Sequence, residues 1–248
     1  MLNKIEAVIF DLGGTLINYE GFSYYWGDYY EQAFQHVSAA LDLNVSSEQL
    51  NAAIETLKLY NTRLYPREVE YTPAHIFSDV FKGWKFQDIS LDAAIRAFFQ
   101  FFQRSVIVYP ETVEVIDDLK RNGYRIGILT DVPTGMPTEL IIQDIQSFKH
   151  HIDYFLSSVD CGFRKPNKKG IEMISERFGV EMDRIVFVGD EEKDIQAAQN
   201  AGAASVLINR EHHNKCYGEL IQIADLIEFR ELLMKHRLGQ GHQAACPD

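Results

Sequence analysis

The sequence has no long apolar run and no recognisable targeting segment. No stretch approaches the roughly 18 consecutive apolar residues that a transmembrane helix requires, so we expect no membrane span. The N-terminal stretch MLNKIEAVIFD has an acidic residue within its short apolar run and does not have the shape of a signal peptide. We therefore expect a cytoplasmic protein that does not bind membranes.

Cysteine is also scarce. The chain of 248 residues contains three cysteines, Cys161, Cys216 and Cys246. Their odd number, their wide spacing and the lack of a CxxC pair argue against a disulfide framework and against a structural zinc site. The adjacent His212 and His213 have no second pair of ligands at a suitable spacing, which favours an exposed loop over a metal site. A reducing cytosol fits this cysteine usage.

Basic residues are outnumbered by acidic ones. The chain has 24 Lys and Arg residues against 36 Asp and Glu residues, which gives a formal net charge of -12. This balance disfavours non-specific binding to nucleic acid or to anionic membranes, because both require a basic face. It does not exclude a small anionic substrate, because the local charge of a site can oppose the net charge. The oligomeric state stays open.

Short apolar runs alternate with amphipathic segments in the chain outside residues 17–105. The runs are continuous, as in strands of a parallel sheet that is covered on both faces, and they span residues 5–10, 125–129, 185–188 and 206–208. Helical patterns cover residues 111–122, 168–178, 194–200 and 223–235. This alternation predicts an α/β fold with a doubly wound parallel sheet.

Residues 17–105 interrupt the alternation. No convincing strand is evident there, and helix starts are indicated by Ser46 with Gln49 and by Thr72 with Pro73. Aromatic residues crowd positions 19–34 at helical spacing, which favours a packed helical core over a substrate pocket. We therefore expect an all-helical insertion after the first strand.

Acidic and polar residues follow the predicted strands. Ligands of open α/β sheets bind beyond the carboxyl ends of the strands, so these residues are candidates for a site. They are Asp11 after the first run, Thr130 and Asp131 after the second, Asp190 and Asp194 after the third, and Lys165 in the preceding loop. Carboxylates, a hydroxyl and a lysine at one edge are typical of a Mg²⁺ site with a nucleophile and an anion clamp.

Four stretches make the sequence resemble the haloacid dehalogenase-like (HAD) hydrolases, most of which are Mg²⁺-dependent phosphatases. In chain order they are FDLGGTL, IGILTD, SSVDCGFRKPN and FVGDEEKD. Four motifs in the family's order are far more specific than any single one. The resemblance implies a Rossmann-like catalytic core of residues 1–16 and 106–248, with a helical cap domain of residues 17–105.

The resemblance also implies a role for each motif residue. Asp11 would be the nucleophile that forms an aspartyl-phosphate, with Thr130 and Lys165 as the other catalytic residues. The implied Mg²⁺ ligands are Asp11, the carbonyl of Gly13, Asp190 and Asp194, where Asp194 holds either the water shell of the ion or Lys165. The implied phosphate-binding residues are Leu12, Gly13, Thr130, Asp131 and Lys165.

Gly13 departs from the family pattern. Most phosphatases of this family have a second aspartate two residues after the nucleophile, which protonates the leaving group and then activates water. Such general acid–base catalysis contributes about 10²–10⁴-fold, and glycine cannot provide it. Tyr19, Glu20 and Asp131 are the nearest candidate replacements, and the sequence does not rank them.

We expect a Mg²⁺-dependent phosphatase whose partner is a small phosphorylated metabolite. Three alternatives stay open. A haloacid dehalogenase would use the same aspartate without Mg²⁺, but it carries an early cap arginine, and no Lys or Arg occurs between Lys4 and Lys58. A phosphonate hydrolase would form a Schiff base through an early cap lysine, for which Lys58 is the first candidate. The third is a non-catalytic binding protein that keeps the fold.

Overall fold

The computed structural model describes residues 2–23, 25–86, 88–103 and 106–237. The chain divides into two compact units. The first, the α/β unit, comprises Met1–Asn18, Val108–Asp131 and Ile145–Asp248. The second, the helical unit, comprises Tyr19–Ile107 and Val132–Asp144.

The strands and helices of the two units are numbered together in chain order. In chain order, the strands of the described residues are β1 (Ala7–Phe10), β2 (Ile17–Tyr19), β3 (Val106–Val108), β4 (Arg125–Thr130), β5 (Tyr154–Ser157), β6 (Ile185–Gly189), β7 (Ala204–Ile208) and β8 (Ile221–Ile223). The α-helices are α1 (Tyr30–Ala40), α2 (Ser47–Tyr60), α3 (Pro73–Val80), α4 (Leu91–Gln100), α5 (Thr112–Arg121), α6 (Thr138–Asp144), α7 (Ser158–Cys161), α8 (Lys169–Phe178), α9 (Glu192–Ala201) and α10 (Leu226–Arg237).

Six strands form one sheet in the order β5-β4-β1-β6-β7-β8, and all of its neighbouring strands run parallel. The chain builds outward from β1 in one direction through β4 and β5, and in the other through β6, β7 and β8. This is the doubly wound arrangement that the sequence predicts, and the fold class is confirmed.

Helices cover both faces of this sheet. On one face, Ala7 and Ile9 of β1 pack in a buried cluster with Ile171 and Ile174 of α8 and with residues of α9. On the other face, the ring of Phe10 contacts that of Phe229 in α10, with the centroids 6.0 Å apart. Because successive side chains of a strand point to opposite faces, a short continuous apolar run is buried on both sides.

The four predicted strands of the sheet are confirmed, and two further strands escaped the sequence analysis. These are β5 and β8, which lie at the two edges of the sheet. Their sequences, YFLS and IQI, are only partly buried and contain polar residues. An edge strand has a neighbour on one side only, so it does not need the continuous apolar run that marks a central strand.

The expectation of no strand within residues 17–105 is wrong at its first residues. Ile17–Tyr19 forms β2, which pairs with β3 in a separate two-stranded sheet. Three residues are too few to show a period in the sequence. Residues 132–144, including α6, cluster with the helical unit although they follow β4. The division into a catalytic core and a cap stays a prediction.

The predicted helix starts of the helical unit are confirmed. The hydroxyl of Ser46 accepts a hydrogen bond from the backbone N–H of Gln49, and the Gln49 side chain accepts one from the N–H of Ser46. The hydroxyl of Thr72 caps α3 by accepting a hydrogen bond from the backbone N–H of His75, with Pro73 as the first helical residue. These bonds satisfy N–H groups that have no partner within the helix.

An aromatic core holds the helical unit together. Phe98 of α4 is 1% exposed, and its ring lies within about 6 Å of five other rings. These belong to Tyr30, Phe34, Phe77, Phe99 and Phe102. Trp26 stacks on Phe102 with the centroids 4.2 Å apart. The aromatic residues of the first helical segment thus contribute to a packed core, as their spacing predicts.

Of the predicted thiols, Cys161 is free in the structure. Cys246 lies outside the described residues. The expectation of no disulfide framework and the cytoplasmic location both stay predictions. Among the described residues, no helix combines the length and the apolar character needed to cross a bilayer.

We expect Phe98→Ala to lower the free energy of unfolding by about 3–5 kcal/mol, because it leaves a cavity at the centre of the aromatic core. Leu59→Ala, at a position that is 65% exposed, is the control and should change it by no more than about 0.5 kcal/mol. Urea unfolding followed by circular dichroism measures both. Equal effects of the two substitutions would contradict the described core.

Candidate active site

The central strands bring the predicted site residues to one edge of the sheet. Phe10 lies opposite Ile128 of β4 and Val188 of β6. The backbone N–H of Asp11 donates to the carbonyl of Val188 at 2.8 Å, which continues the ladder by one residue. Asp11 therefore emerges level with the carboxyl ends of both neighbouring strands, where β4 ends at Thr130.

A buried lysine joins two of the carboxylates. The Nζ atom of Lys165 lies 2.5 Å from Oδ1 of Asp11 and 2.6 Å from Oδ1 of Asp194. Burial alone would lower the pKa of this ammonium group, but the charges of Asp11 and Asp194 outweigh burial and raise the pKa well above its ordinary value. Lys165 is therefore charged, as the predicted anion clamp requires.

Three carboxylates form a group that could hold a metal ion. Asp11, Asp190 and Asp194 each offer a ligand atom, and these atoms lie within 4.8 Å of one another. Burial raises the pKa of Asp11 to about 7, against the opposing charge of Lys165. Burial, together with the charges of Asp11 and Asp194, also raises the pKa of Asp190. This surplus of negative charge and the oxygen ligands fit a hard divalent cation.

The loop after β1 brings its backbone close to Asp190. Gly14 has a φ of +76°, and a Cβ atom on it would lie 2.2 Å from Oδ2 of Asp190. The hydroxyl of the next residue, Thr15, donates to Oδ1 of Asp190 at 3.4 Å. Both the backbone conformation and the close approach require glycine at position 14.

Asp131 is occupied by contacts within the protein. Its carboxylate accepts a hydrogen bond from the backbone N–H of Lys165 at 3.1 Å, and it lies 3.9 Å from Arg164 and 3.5 Å from Lys193. Burial would raise its pKa, but the charges of Arg164 and Lys193 outweigh this effect and lower the pKa. Its side chain therefore holds the loop that carries Lys165 and is poorly suited to donate a proton.

The remaining predicted phosphate-binding residues differ in accessibility. Thr130 and Leu12 are buried, and the carbonyl of Leu12 accepts hydrogen bonds from the N–H groups of Leu16 and Ile17. Gly13 is exposed, and no heavy atom beyond its chain neighbours would lie within 4 Å of a Cβ at this position. A larger residue at position 13 therefore has room.

The other two candidate proton donors belong to the helical unit. The hydroxyl of Tyr19 donates to Oδ2 of Asp144 at 2.5 Å. Burial and the Asp144 carboxylate raise the pKa of Tyr19 well above its ordinary value. Glu20 is exposed. A phenol whose proton is held by a carboxylate is a weak acid, so Tyr19 is not a good substitute for the aspartate that Gly13 replaces.

Lys58 does not have the environment of a Schiff-base lysine. It lies on the surface of α2 with its Nζ 2.8 Å from Oε1 of Glu55. The hydrogen bond to Glu55 raises its pKa. A lysine that attacks a carbonyl group needs the opposite, a pKa that is lowered so that the amine is neutral.

Several residues near the site escaped the sequence analysis. Thr15, Arg164 and Lys193 contact Asp190 or Asp131, and none of them stands at a position that follows a strand directly. Arg210 is different, because it lies two residues beyond the end of β7. Extending the search for residues beyond strand ends to the fourth predicted strand would have found it.

Comparison with known families agrees with this geometry. The family model described as haloacid dehalogenase-like hydrolase matches residues 5–202. The chain therefore belongs to the haloacid dehalogenase-like hydrolases.

Two curated relatives are named as phosphatases. Glyceraldehyde 3-phosphate phosphatase of Methanothermobacter thermautotrophicus is 32% identical over 133 residues, which cover 50% of this chain and only 58% of that relative. Phosphoglycolate phosphatase of Salmonella typhimurium is 23% identical over 243 residues, which cover 90% of this chain and 88% of the relative.

Solved structures share the fold. A HAD phosphatase from Thermococcus onnurineus has a TM-score of 0.64 at 21% identity, over 92% of this chain and 98% of that one. A 2-haloacid dehalogenase from Pseudomonas syringae pv. Tomato has a TM-score of 0.67 at 19% identity, over 93% and 99%. Phosphatases and dehalogenases are thus both similar in fold, so the fold does not decide between their chemistries.

We expect Gly14→Ala to lower the free energy of unfolding by at least about 1–2 kcal/mol, the cost of a left-handed conformation in a residue with a Cβ. The collision with Asp190 adds to this cost. Gly13→Ala is the matched control and should be nearly neutral, because its Cβ meets nothing. Chemical unfolding of both variants tests this contrast, and a Gly14→Ala variant as stable as Gly13→Ala would refute it.

Proposed function

We propose that the protein is a Mg²⁺-dependent phosphatase that hydrolyses a small phosphate monoester through an aspartyl-phosphate on Asp11. The observation that carries this proposal is the buried group of Asp11, Asp190 and Asp194 around the ammonium of Lys165. The names of the curated relatives support phosphate-ester chemistry. A dehalogenase has less support, because it has no use for a group of three carboxylates that suits a cation.

In the proposed reaction, a carboxylate oxygen of Asp11 attacks phosphorus and the bond to the leaving oxygen breaks. Water then attacks the phosphorus of the aspartyl-phosphate, which releases phosphate and restores the carboxylate. One difficult displacement is thereby divided into two easier ones. Lys165 opposes the effect of burial on Asp11, since its charge favours the ionised form that attacks.

The metal site would consist of Asp11, Asp190 and the carbonyl of Gly13. Bound Mg²⁺ would neutralise negative charge on the phosphoryl group during transfer. Asp194 is fully buried, and its Oδ2 accepts the backbone N–H of Glu191 at 2.9 Å while its Oδ1 faces Lys165. We therefore assign Asp194 to orienting Lys165 and the water shell of the ion.

The phosphoryl group would be held by short-range donors. We assign this role to the hydroxyl of Thr130, to the ammonium of Lys165 and to backbone groups of Leu12 and Gly13. Asp131 would act indirectly, by holding the backbone of Lys165. The helical unit would serve as the cap domain that selects the substrate.

The absence of an acid at position 13 shapes the choice of substrate. Without a positioned proton donor, the leaving group must depart with little help, which favours esters whose leaving oxygen is a weak base. A non-catalytic role would follow if no such ester reacts. The phosphonate alternative loses support from the exposed, ion-paired state of Lys58.

We expect Mg²⁺-dependent phosphate release from at least one member of a panel that includes phosphoglycolate, glyceraldehyde 3-phosphate, sugar phosphates and nucleotides. Asp11→Asn should reduce kcat by several orders of magnitude, since it removes the nucleophile. Asp183→Asn, at a side chain 62% exposed, is the matched control and should retain full activity. Release that survives EDTA or Asp11→Asn would contradict the proposed mechanism.

We expect Gly13→Asp to raise kcat for poor leaving groups by about 10²-fold or more, because it restores a general acid at a position with room for a side chain. Gly13→Asn has nearly the same shape without the ionisable proton and should give no such gain. Steady-state kinetics on an alkyl phosphate and an aryl phosphate separate the two effects. An equal gain in both variants would mean that shape, not proton transfer, is responsible.

A further inference from the structure

Arg210 lies beside the candidate site, in the loop after a strand that contributes no other site residue. It follows β7, whose residue Leu207 is paired with Gly189 at the end of β6. Arg210 therefore reaches the same edge of the sheet as Asp190. Its side chain is only 16% exposed, which is unusual for an arginine in a loop.

The guanidinium group holds two successive backbone carbonyls of the loop after β1. Its Nε donates to the carbonyl of Gly14 at 3.2 Å, and its Nη2 donates to the carbonyl of Thr15 at 2.7 Å. The planar guanidinium presents these two donors in a fixed fork, whereas a lysine ammonium is a point charge without that fixed geometry. The bonds fix the orientation of both peptide groups.

Two further contacts fix the guanidinium itself. Nη1 lies 2.8 Å from Oε1 of Glu111, and Cζ lies 3.6 Å from the ring centroid of Tyr109. The ion pair and the cation–π contact therefore hold the group through residues outside the loop. Arg210 therefore links the loop to the segment that begins α5.

The held segment is the one that contacts Asp190. Gly14 leaves no space for a Cβ against the Asp190 carboxylate, and the hydroxyl of Thr15 donates to it. A rotation of either peptide group would move these contacts. The carbonyl of Gly13, which is a proposed ligand, belongs to the adjacent peptide group.

We propose that Arg210 is a positioning residue for the metal site, acting through the carbonyls of Gly14 and Thr15 on the carboxylate of Asp190. The inference rests on the proposed function, in that it takes this group of carboxylates to be a metal site. Groups that orient metal ligands typically change metal affinity by about 10–100-fold when they are removed. We expect a loss of this size for Arg210→Ala.

The test is Mn²⁺ binding to the substrate-free protein, measured by electron paramagnetic resonance. Arg210→Ala should raise the Kd by about 10–100-fold, and Arg210→Lys should lie between it and the wild type. Guanidinium at millimolar concentration should partly restore binding in Arg210→Ala. The matched control is Arg230→Ala, which removes an arginine that is 20% exposed and pairs with Glu114 and Asp118 of α5. It should leave the Kd unchanged.

Thermal unfolding of each variant separates positioning from stability. If Arg210→Ala does not fold, Arg210→Lys decides the question. An unchanged Kd in the folded Arg210 variants overturns the inference alone, as does an equal loss in Arg230→Ala. A wild-type protein that binds Mn²⁺ but releases no phosphate overturns the proposed function alone, and one that binds no Mn²⁺ overturns both.

Discussion

The site depends on the charge balance around one buried ammonium group. Lys165 faces Asp11 and Asp194 at once, and a third carboxylate, Asp190, lies within the same small volume. One positive charge does not balance three negative charges in a buried environment, and the raised pKa values of Asp11 and Asp190 reflect this. A bound cation would relieve this repulsion, and the proposed metal site rests on that arrangement of charges.

Residues around the site hold these charged groups in position. Gly14 permits Asp190 to approach the loop after β1. Asp131 forms ion pairs with Arg164 and Lys193 and accepts a hydrogen bond from the backbone of Lys165. Gly14 is uncharged, and the charge of Asp131 is balanced by Arg164 and Lys193. Neither residue therefore adds net charge next to Asp190 or Lys165. Gly13, by contrast, is exposed and stands where most phosphatases of the family have a second aspartate. The carboxylates and Lys165 are therefore held in place, whereas position 13 offers no group that could donate a proton.

Much of the α/β unit was predictable, because buried strands and amphipathic helices leave strong periodic signals. The candidate site was also predictable as a set, since its members directly follow strands or belong to motifs of the family. The edge strands β5 and β8 and the three-residue strand β2 were not, since short, half-buried segments carry little pattern. The pairing of Asp131 with Lys193 and the hold of Arg210 on two carbonyls arise from long-range packing, which no local pattern encodes.

The order of the strands also has a consequence for how the protein acquires its activity during synthesis. β1 emerges first, yet both of its neighbours in the sheet, β4 and β6, lie more than one hundred residues further along the chain. Such distant parallel pairings form slowly, because closing a long loop costs conformational entropy before any stabilising contact has formed. A nascent chain that has emerged only as far as β4 contains Asp11 but not Lys165, Asp190 or Asp194. The proposed site is thus complete only late in synthesis, after β1 has paired with both β4 and β6.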